Sequence, residues 1–99
     1  MDGKIKYEFS STVWKHPSPG GWFFISLPKQ ISEEIRNHFK WQEEGWGRLK
    51  VEAQIGNYKW DTAIWFDTKL ETYLLPIKAE IRSILKLEIK KNSEIRIWV

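Results

Sequence analysis

The chain has 99 residues, with 16 lysines and arginines against 13 acidic residues and no cysteine. This length allows one hydrophobic core, so we expect a single domain over residues 1–99. Without cysteine, disulfides, thiolate metal sites and cysteine nucleophiles are excluded. The first residues lack the apolar segment of a signal peptide, and no apolar run reaches the ~20 residues needed to cross a bilayer. We therefore expect a cytoplasmic protein that has no membrane partner.

The first half of the chain predicts two strands, a helix and a third strand. Residues 5–14 alternate between apolar and polar side chains, which is typical of a half-buried strand. A loop rich in proline and glycine separates this strand from the continuous apolar run 22–27, which ends at Pro28. Ser32 is placed to cap the N-terminus of a helix of about two turns. Residues 48–55 alternate again and predict the third strand.

The second half repeats this order of elements. Gly56 and Asn57 favour a tight turn that leads into a strand over residues 58–66. A polar turn follows, and then a strand over residues 72–76 that ends at a proline. Residues 77–85 have apolar side chains at helical spacing, and residues 94–99 alternate as in a strand.

A short motif marks the two halves as copies of one plan. Leu27 and Pro28 are followed by Ile35 and Arg36, and Leu75 and Pro76 are followed by Ile81 and Arg82. Each copy is then a β-β-α-β unit, and neither unit can bury its apolar face alone. We expect a mainly β fold with two short helices, built from two β-β-α-β repeats that pack about a pseudo-twofold axis. Six short strands arranged in this way predict a closed or nearly closed barrel, with the helices at its ends.

The segment after residue 72 carries a family resemblance. Residues 73–82, Tyr-Leu-Leu-Pro-Ile-Lys-Ala-Glu-Ile-Arg, followed by Ile89 and by Glu-Ile-Arg-Ile at 94–97, resemble the closing segment of the bacterial domain of unknown function family 1905. The chain departs from that family in having Asn92 and Ser93 where a Gly-Asp turn is usual. The resemblance implies a small double-split β-barrel of AbrB/MazE-like architecture and no established activity. The same plan occurs in AbrB-like regulators and antitoxins that bind DNA, which gives an alternative function.

Seven tryptophans are the strongest anomaly in the composition. Trp14 and Trp98 lie on the polar side of their predicted strands, where an exposed aromatic ring often marks a ligand groove or a protein interface. Trp22, Trp60 and Trp65 lie in apolar surroundings, and we expect them to pack in the core. The tryptophan excess therefore leaves both a binding surface and core packing open.

Arg36 and Arg82 occupy equivalent positions in the two copies. Each is expected either to lie across the barrel rim beside a carboxylate or carbonyl, or to belong to a symmetric pair of anion contacts. His16 and His38 do not have the spacing of metal ligands, and no nucleophile lies beside a base.

These observations predict a non-enzymatic binding or interaction module without a cofactor or metal. Its partner is an unknown small ligand or protein, held by a surface that includes Trp14, Trp98, Arg36 and Arg82. A nucleic acid is the less favoured partner, because the basic residues are interleaved with acidic ones along the chain.

Overall fold

A computed structural model describes residues 4–17, 20–43, 45 and 47–99. The predicted loop between the first two strands, the linker before the third and the start of the chain lie partly outside these residues. The strands and helices follow the predicted order, a β-β-α-β unit written twice. The elements are β1 (Lys6–Lys15), β2 (Phe23–Ser26), α1 (Lys29–Phe39), a 3₁₀ turn (Lys40–Gln42), β3 (Arg48–Ile55), β4 (Tyr58–Asp67), β5 (Thr72–Pro76), α2 (Ala79–Leu85) and β6 (Asn92–Trp98).

The six strands form a closed antiparallel barrel in the order β1-β2-β5-β4-β3-β6. Exchanging β1 with β4, β2 with β5 and β3 with β6 leaves this order unchanged. The β2–β5 pairing places Ser26 opposite Leu74, and these residues hold the same place relative to Pro28 and Pro76. The predicted fold class is therefore confirmed: the chain is a small, mainly β barrel with two short helices, and its topology has twofold symmetry. Closure also removes the unpaired sheet edges that favour aggregation.

The core fills the inside of the barrel because alternate side chains of every strand point inward. Val13, Ile25 and Ile97 are fully buried in this way, and Ile35 enters from α1. Trp60 faces the same interior and packs against the core from a half-buried position, in agreement with the prediction. The remaining residues of each strand point outward, and this outer face carries the other aromatic side chains considered below.

The start of α1 differs from the prediction. The helix begins at Lys29 after Pro28 and is 11 residues long, so Ser32 lies inside it and is not the N-cap. Proline has no N–H to donate and its backbone is suited to a helix start, which places the first turn earlier than the polar residues indicate. Ser32 is fully buried, and its Oγ accepts a hydrogen bond from the backbone N–H of Tyr73 at 3.0 Å. The serine therefore joins the helix to β5.

The connection from α2 to β6 also differs in detail. Lys86 ends α2 in the left-handed conformation, with φ 53°, and Lys90 has φ 70°. Asn92 is instead the first residue of β6. The turn expected at Asn92 and Ser93 is therefore wrong, and the two lysines provide the left-handed backbone.

Candidate functional site

An aromatic surface covers the outside of four neighbouring strands, β1, β2, β5 and β4. Cross-strand partners share a face, and the register pairs Trp14 with Phe24, Phe24 with Pro76, and Trp65 with Leu74. All five side chains therefore point away from the barrel interior. Within this surface Trp65 is 42% exposed to solvent.

Ring contacts hold part of this surface in place. The Trp22 and Phe24 rings are stacked, with centroids 6.3 Å apart and planes at 11°. The Trp14 ring also contacts Phe24, with centroids 5.4 Å apart. The Trp14 Nε1–H donates to Ser26 Oγ at 2.9 Å, which fixes the indole on the sheet. Phe24 therefore contacts two tryptophans, one of which is anchored by a hydrogen bond.

Beside these rings lies a pocket of about 330 Å³, which we call the aromatic pocket. Trp22 and Trp65 stand at its rim with 58% and 42% of their surface exposed, and Leu74 is buried beneath them. A contiguous apolar patch that is exposed to water often marks a ligand or partner site. The described residues that line the pocket are His16, Trp22, Phe24, Trp65, Phe66, Asp67, Leu74 and Pro76.

Two polar residues border the aromatic pocket. Asp67 closes β4, and its Oδ1 accepts the backbone N–H groups of Lys69 and Leu70, each at 2.9 Å. His16 follows β1, and its backbone N–H donates to the carbonyl of Trp22 at 2.8 Å. The carboxylate is fixed by a turn and the histidine by its loop, so both can orient a ligand without rearrangement.

The prediction that Trp22 and Trp65 pack in the core is wrong. Both residues belong to continuous apolar runs, which are typical of strands covered on two faces. Here the outward positions of those runs face solvent, and only neighbouring aromatic residues cover them. The alternation of β1 correctly places Trp14 on the outer face, but its half-buried ring supports Phe24 and does not line the aromatic pocket.

Trp98 lies elsewhere on the barrel. It is opposite Lys6 at the start of β1, whereas Trp14 lies eight residues further along the same strand, about 26 Å away at the rise of a β-strand. Lys59 Nζ sits 4.3 Å from the centroid of the Trp98 ring. Trp98 borders a second, larger depression of about 1090 Å³ that also touches Trp22 and Trp65. The structure therefore does not bring Trp14 and Trp98 together.

Arg36, on α1, is part of a partly buried polar cluster with Glu43 and Tyr73. Its guanidinium stacks on the Phe66 ring at 3.8 Å, and its Nη1 lies 3.8 Å from Glu43 Oε2. The same carboxylate oxygen accepts a hydrogen bond from the Tyr73 hydroxyl. Burial, and then the hydrogen bond from the hydroxyl to Glu43, raise the pKa of Tyr73 well above its usual range. This cluster ties the chain after α1 to β5.

Arg82, the equivalent residue of α2, has different surroundings. Its guanidinium stacks on the Phe23 ring at 3.6 Å, and Lys15 Nζ lies 5.8 Å from the same ring centroid. The Nε atom of Arg82 is buried and has no hydrogen-bond acceptor in the part of the chain that the structure describes. Stacking on phenylalanine is thus common to both arginines, and among the described residues a carboxylate lies beside Arg36 but not beside Arg82.

No group of three metal-ligating side chains forms among the described residues. The two histidines have different contacts. His38 Nδ1 lies 2.9 Å from the carbonyl oxygen of Glu34 in its own helix. The His16 ring contacts the Trp14 and Phe24 rings. None of the described helices has the length and apolar character needed to cross a bilayer.

A family model described as a domain of unknown function (DUF1905) matches residues 9–97, which is most of the chain. The match includes every strand of the barrel except the first residues of β1 and the last of β6. No curated protein matches the chain.

Proposed function

Because the chain belongs to the DUF1905 family, for which no activity is described, we propose its function from the site itself: a non-enzymatic binding module that holds a small ligand in the aromatic pocket. The observation that carries the proposal is the pair of exposed indoles, Trp22 and Trp65, above an apolar floor. The aromatic pocket is near the lower end of the ~300–1,000 Å³ range of small-molecule sites. A ligand about the size of a fused two-ring system fits that volume.

The apolar area is sufficient for specific binding. An aromatic side chain buries about 150–250 Å² when it is covered completely, and roughly half of each rim tryptophan is exposed. Covering about 200 Å² in total would contribute about 5 kcal/mol at 25 cal/mol per Å². The loss of translational and rotational freedom offsets part of this gain. Because the Trp22 ring is already stacked on Phe24, little of its side-chain entropy is lost in addition.

The polar residues at the border of the aromatic pocket restrict the class of ligand that can bind. Asp67 is held at the edge of the aromatic pocket by its own turn, and an ionised carboxylate only accepts hydrogen bonds. Tryptophan faces attract cations and repel anions. We therefore expect a flat, ring-bearing ligand that is neutral or cationic and carries a hydrogen-bond donor towards Asp67.

The described lining of the aromatic pocket does not favour catalysis. It contains no serine, threonine or lysine beside His16 that could act as a nucleophile. The proposal that the protein is not an enzyme rests on this composition of the pocket.

No observation favours the alternative of an AbrB-like DNA-binding regulator. Several outward cations are engaged by carboxylates: Arg96 Nε donates to Glu8 at 2.7 Å, and Lys59 lies 3.8 Å from Glu52. Phosphate binding needs basic groups gathered on one face and weakens steeply with salt. A gel shift at low salt would therefore be expected to give no complex.

The test is a fragment screen followed by calorimetry. Flat bicyclic amines would be screened by saturation-transfer NMR, and the dissociation constants of the hits would be measured for the native protein and for W22A, W65A and W41A. Trp41 is the matched control, since it is 78% exposed and does not line the aromatic pocket.

We expect W22A and W65A each to weaken binding at least tenfold, because each removes about 100 Å² of apolar contact. W41A should bind as the native protein does. Either the absence of hits among bicyclic amines, or an equal loss in W41A, would refute the proposal.

A further inference from the structure

We propose that the aromatic pocket holds only the ring of its ligand, and that an anionic group of the same molecule binds in the second depression. This inference rests on the proposed function and deepens it by naming the class of ligand. The class is a neutral ring that carries an amine and is joined to a phosphate, as in a purine nucleoside monophosphate.

The two cavities are contiguous. Trp22, Trp65 and Pro76 line both the aromatic pocket and the second depression. A ligand that contacts the rim tryptophans can therefore extend from one cavity into the other. On the β4 side of this boundary lies Ala63, two residues before Trp65 and therefore also on the outer face. Only 4% of Ala63 is exposed, so larger neighbours enclose it and the depression is a recess in the sheet surface.

The two cavities differ in charge. The aromatic pocket has Asp67 and no lysine or arginine in its described lining. The charged side chains in the described lining of the second depression are four cations and one carboxylate: Lys4, Arg48, Lys50, Lys78 and Asp61. Together the cavities suit a ligand that has a hydrogen-bond donor at one end and a negative charge at the other.

Two of the cations lie close to the boundary between the cavities. In the β3–β4 pairing Arg48 is opposite Trp65 and Lys50 is opposite Ala63, so both lie on the outer face. The guanidinium carbon of Arg48 is 6.0 Å from the centroid of the Trp65 ring. At the spacings of a sheet, the backbone of Lys50 is within about 10 Å of that of Trp65. An anionic group that leaves the aromatic pocket past Trp65 therefore meets positive charge.

A purine nucleoside monophosphate has both of the required parts. Its ring is a fused two-ring system that stacks on aromatic side chains, and the amino group of adenine is a donor for Asp67. The phosphate lies away from the tryptophan faces, which repel anions. A DNA duplex is a different case, because it presents a row of phosphates. Asp61, two residues before Ala63 on β4, interrupts the basic residues of the depression.

Calorimetry with adenosine and adenosine 5′-monophosphate tests the inference, because the two compounds differ only in the phosphate. In about 20 mM sodium chloride we expect the monophosphate to bind about tenfold more tightly than adenosine. About 500 mM sodium chloride should remove most of this difference, since salt screens exposed charges. The affinity for adenosine should change little with salt.

Four variants separate binding of the phosphate from binding of the ring. K50M and K78M should each weaken binding of the monophosphate several-fold and leave adenosine unchanged. W65A should weaken binding of both compounds. Lys91 is the matched control, because it is exposed and belongs to the described lining of neither cavity. K91M should bind both compounds as the native protein does.

Three results would overturn the inference. These are a monophosphate that binds no more tightly than adenosine at low salt, a loss in K91M equal to that in K50M and K78M, and a monophosphate affinity that W65A does not change. Binding of neither compound would overturn it as well. The proposed function fails separately, through the absence of hits among bicyclic amines or an equal loss in W41A.

Discussion

Replacing Ser32 with alanine tests the attachment of α1 to the barrel. Ser32 and Tyr73 are both fully buried, and the Ser32 Oγ accepts the Tyr73 backbone N–H at 3.0 Å. Alanine removes the acceptor, and water cannot reach the amide to replace it. A buried amide without a partner costs about 1–3 kcal/mol, and the better helix propensity of alanine returns about 0.5 kcal/mol. The expected net loss in the free energy of unfolding is about 1–2 kcal/mol.

Urea denaturation followed by circular dichroism would measure this loss. For a domain of this size the urea dependence is about 1 kcal/mol per M, so the midpoint should fall by about 1–2 M. Ser83 is the matched control, because it is an exposed serine in α2. S83A should change the free energy of unfolding by less than about 0.5 kcal/mol. A loss in S32A that is no larger than in S83A would refute the reasoning.

An aspartate at the same position separates the observed structure from the N-cap reading of the sequence. Aspartate is as good an N-cap as serine, so an N-cap at position 32 would tolerate S32D. In the structure the new carboxylate would be fully buried beside β5, in the place of the Ser32 hydroxyl. S32D should therefore cost more than S32A. Native stability of S32D would show that the helix begins where the sequence alone placed it.

Two further predictions concern the polar cluster of Arg36, Glu43 and Tyr73 and the turn before β3. Burial and the hydrogen bond to Glu43 raise the pKa of Tyr73, so the folded protein keeps the hydroxyl protonated where an unfolded tyrosine ionises, near pH 10. This stabilisation is complete below about pH 10 and is lost as the pH rises further. The urea midpoints at pH 9 and pH 11 should therefore differ less in Y73F than in the native protein. An unchanged difference would show that Tyr73 is not the source of the pH dependence. G47A should lose more stability than G56A. Both glycines have positive φ, 80° at Gly47 and 61° at Gly56. A Cβ at Gly47 would lie 3.2 Å from Phe66 Cβ, whereas a Cβ at Gly56 would meet nothing within 4 Å. Left-handed strain should cost each variant about 1–2 kcal/mol, and equal unfolding free energies would show that the contact with Phe66 is unimportant.

Much of the barrel could be predicted because its local signals agree with its tertiary structure. The alternation over residues 48–55 matches β3, and Gly56 sits at the turn of the β3–β4 hairpin with φ 61°. Pro76 ends β5 and Pro28 precedes α1, because a proline has no N–H to donate to a sheet. The repeated order of elements was enough to predict the closed topology. Ser32 was misplaced because a hydrogen bond to a residue 41 positions away leaves no local signal.

The site was harder to predict than the fold. Alternation tells which way Trp14 points, but no periodicity tells whether another layer covers a sheet face. Trp22 and Trp65 lie in apolar runs, and the sequence therefore favoured the core for both. In the structure they are 58% and 42% exposed, so no such layer covers them among the described residues. The unequal partners of Arg36 and Arg82 were equally hidden, because the carboxylate of Glu43 lies outside the repeated motif.

Trp22 and Trp65 are proposed to form a binding surface on the outside of a closed barrel. The most direct measurement is ¹⁹F NMR of protein labelled with 5-fluorotryptophan, with signals assigned from single tryptophan-to-phenylalanine variants. On titration with a bicyclic amine hit, the signals of Trp22 and Trp65 should shift together along one binding curve, while Trp60 inside the barrel and Trp41 outside the aromatic pocket stay in place. Shifts confined to Trp41 or Trp60, or no shifts at Trp22 and Trp65, would show that the ligand does not bind at these two rings.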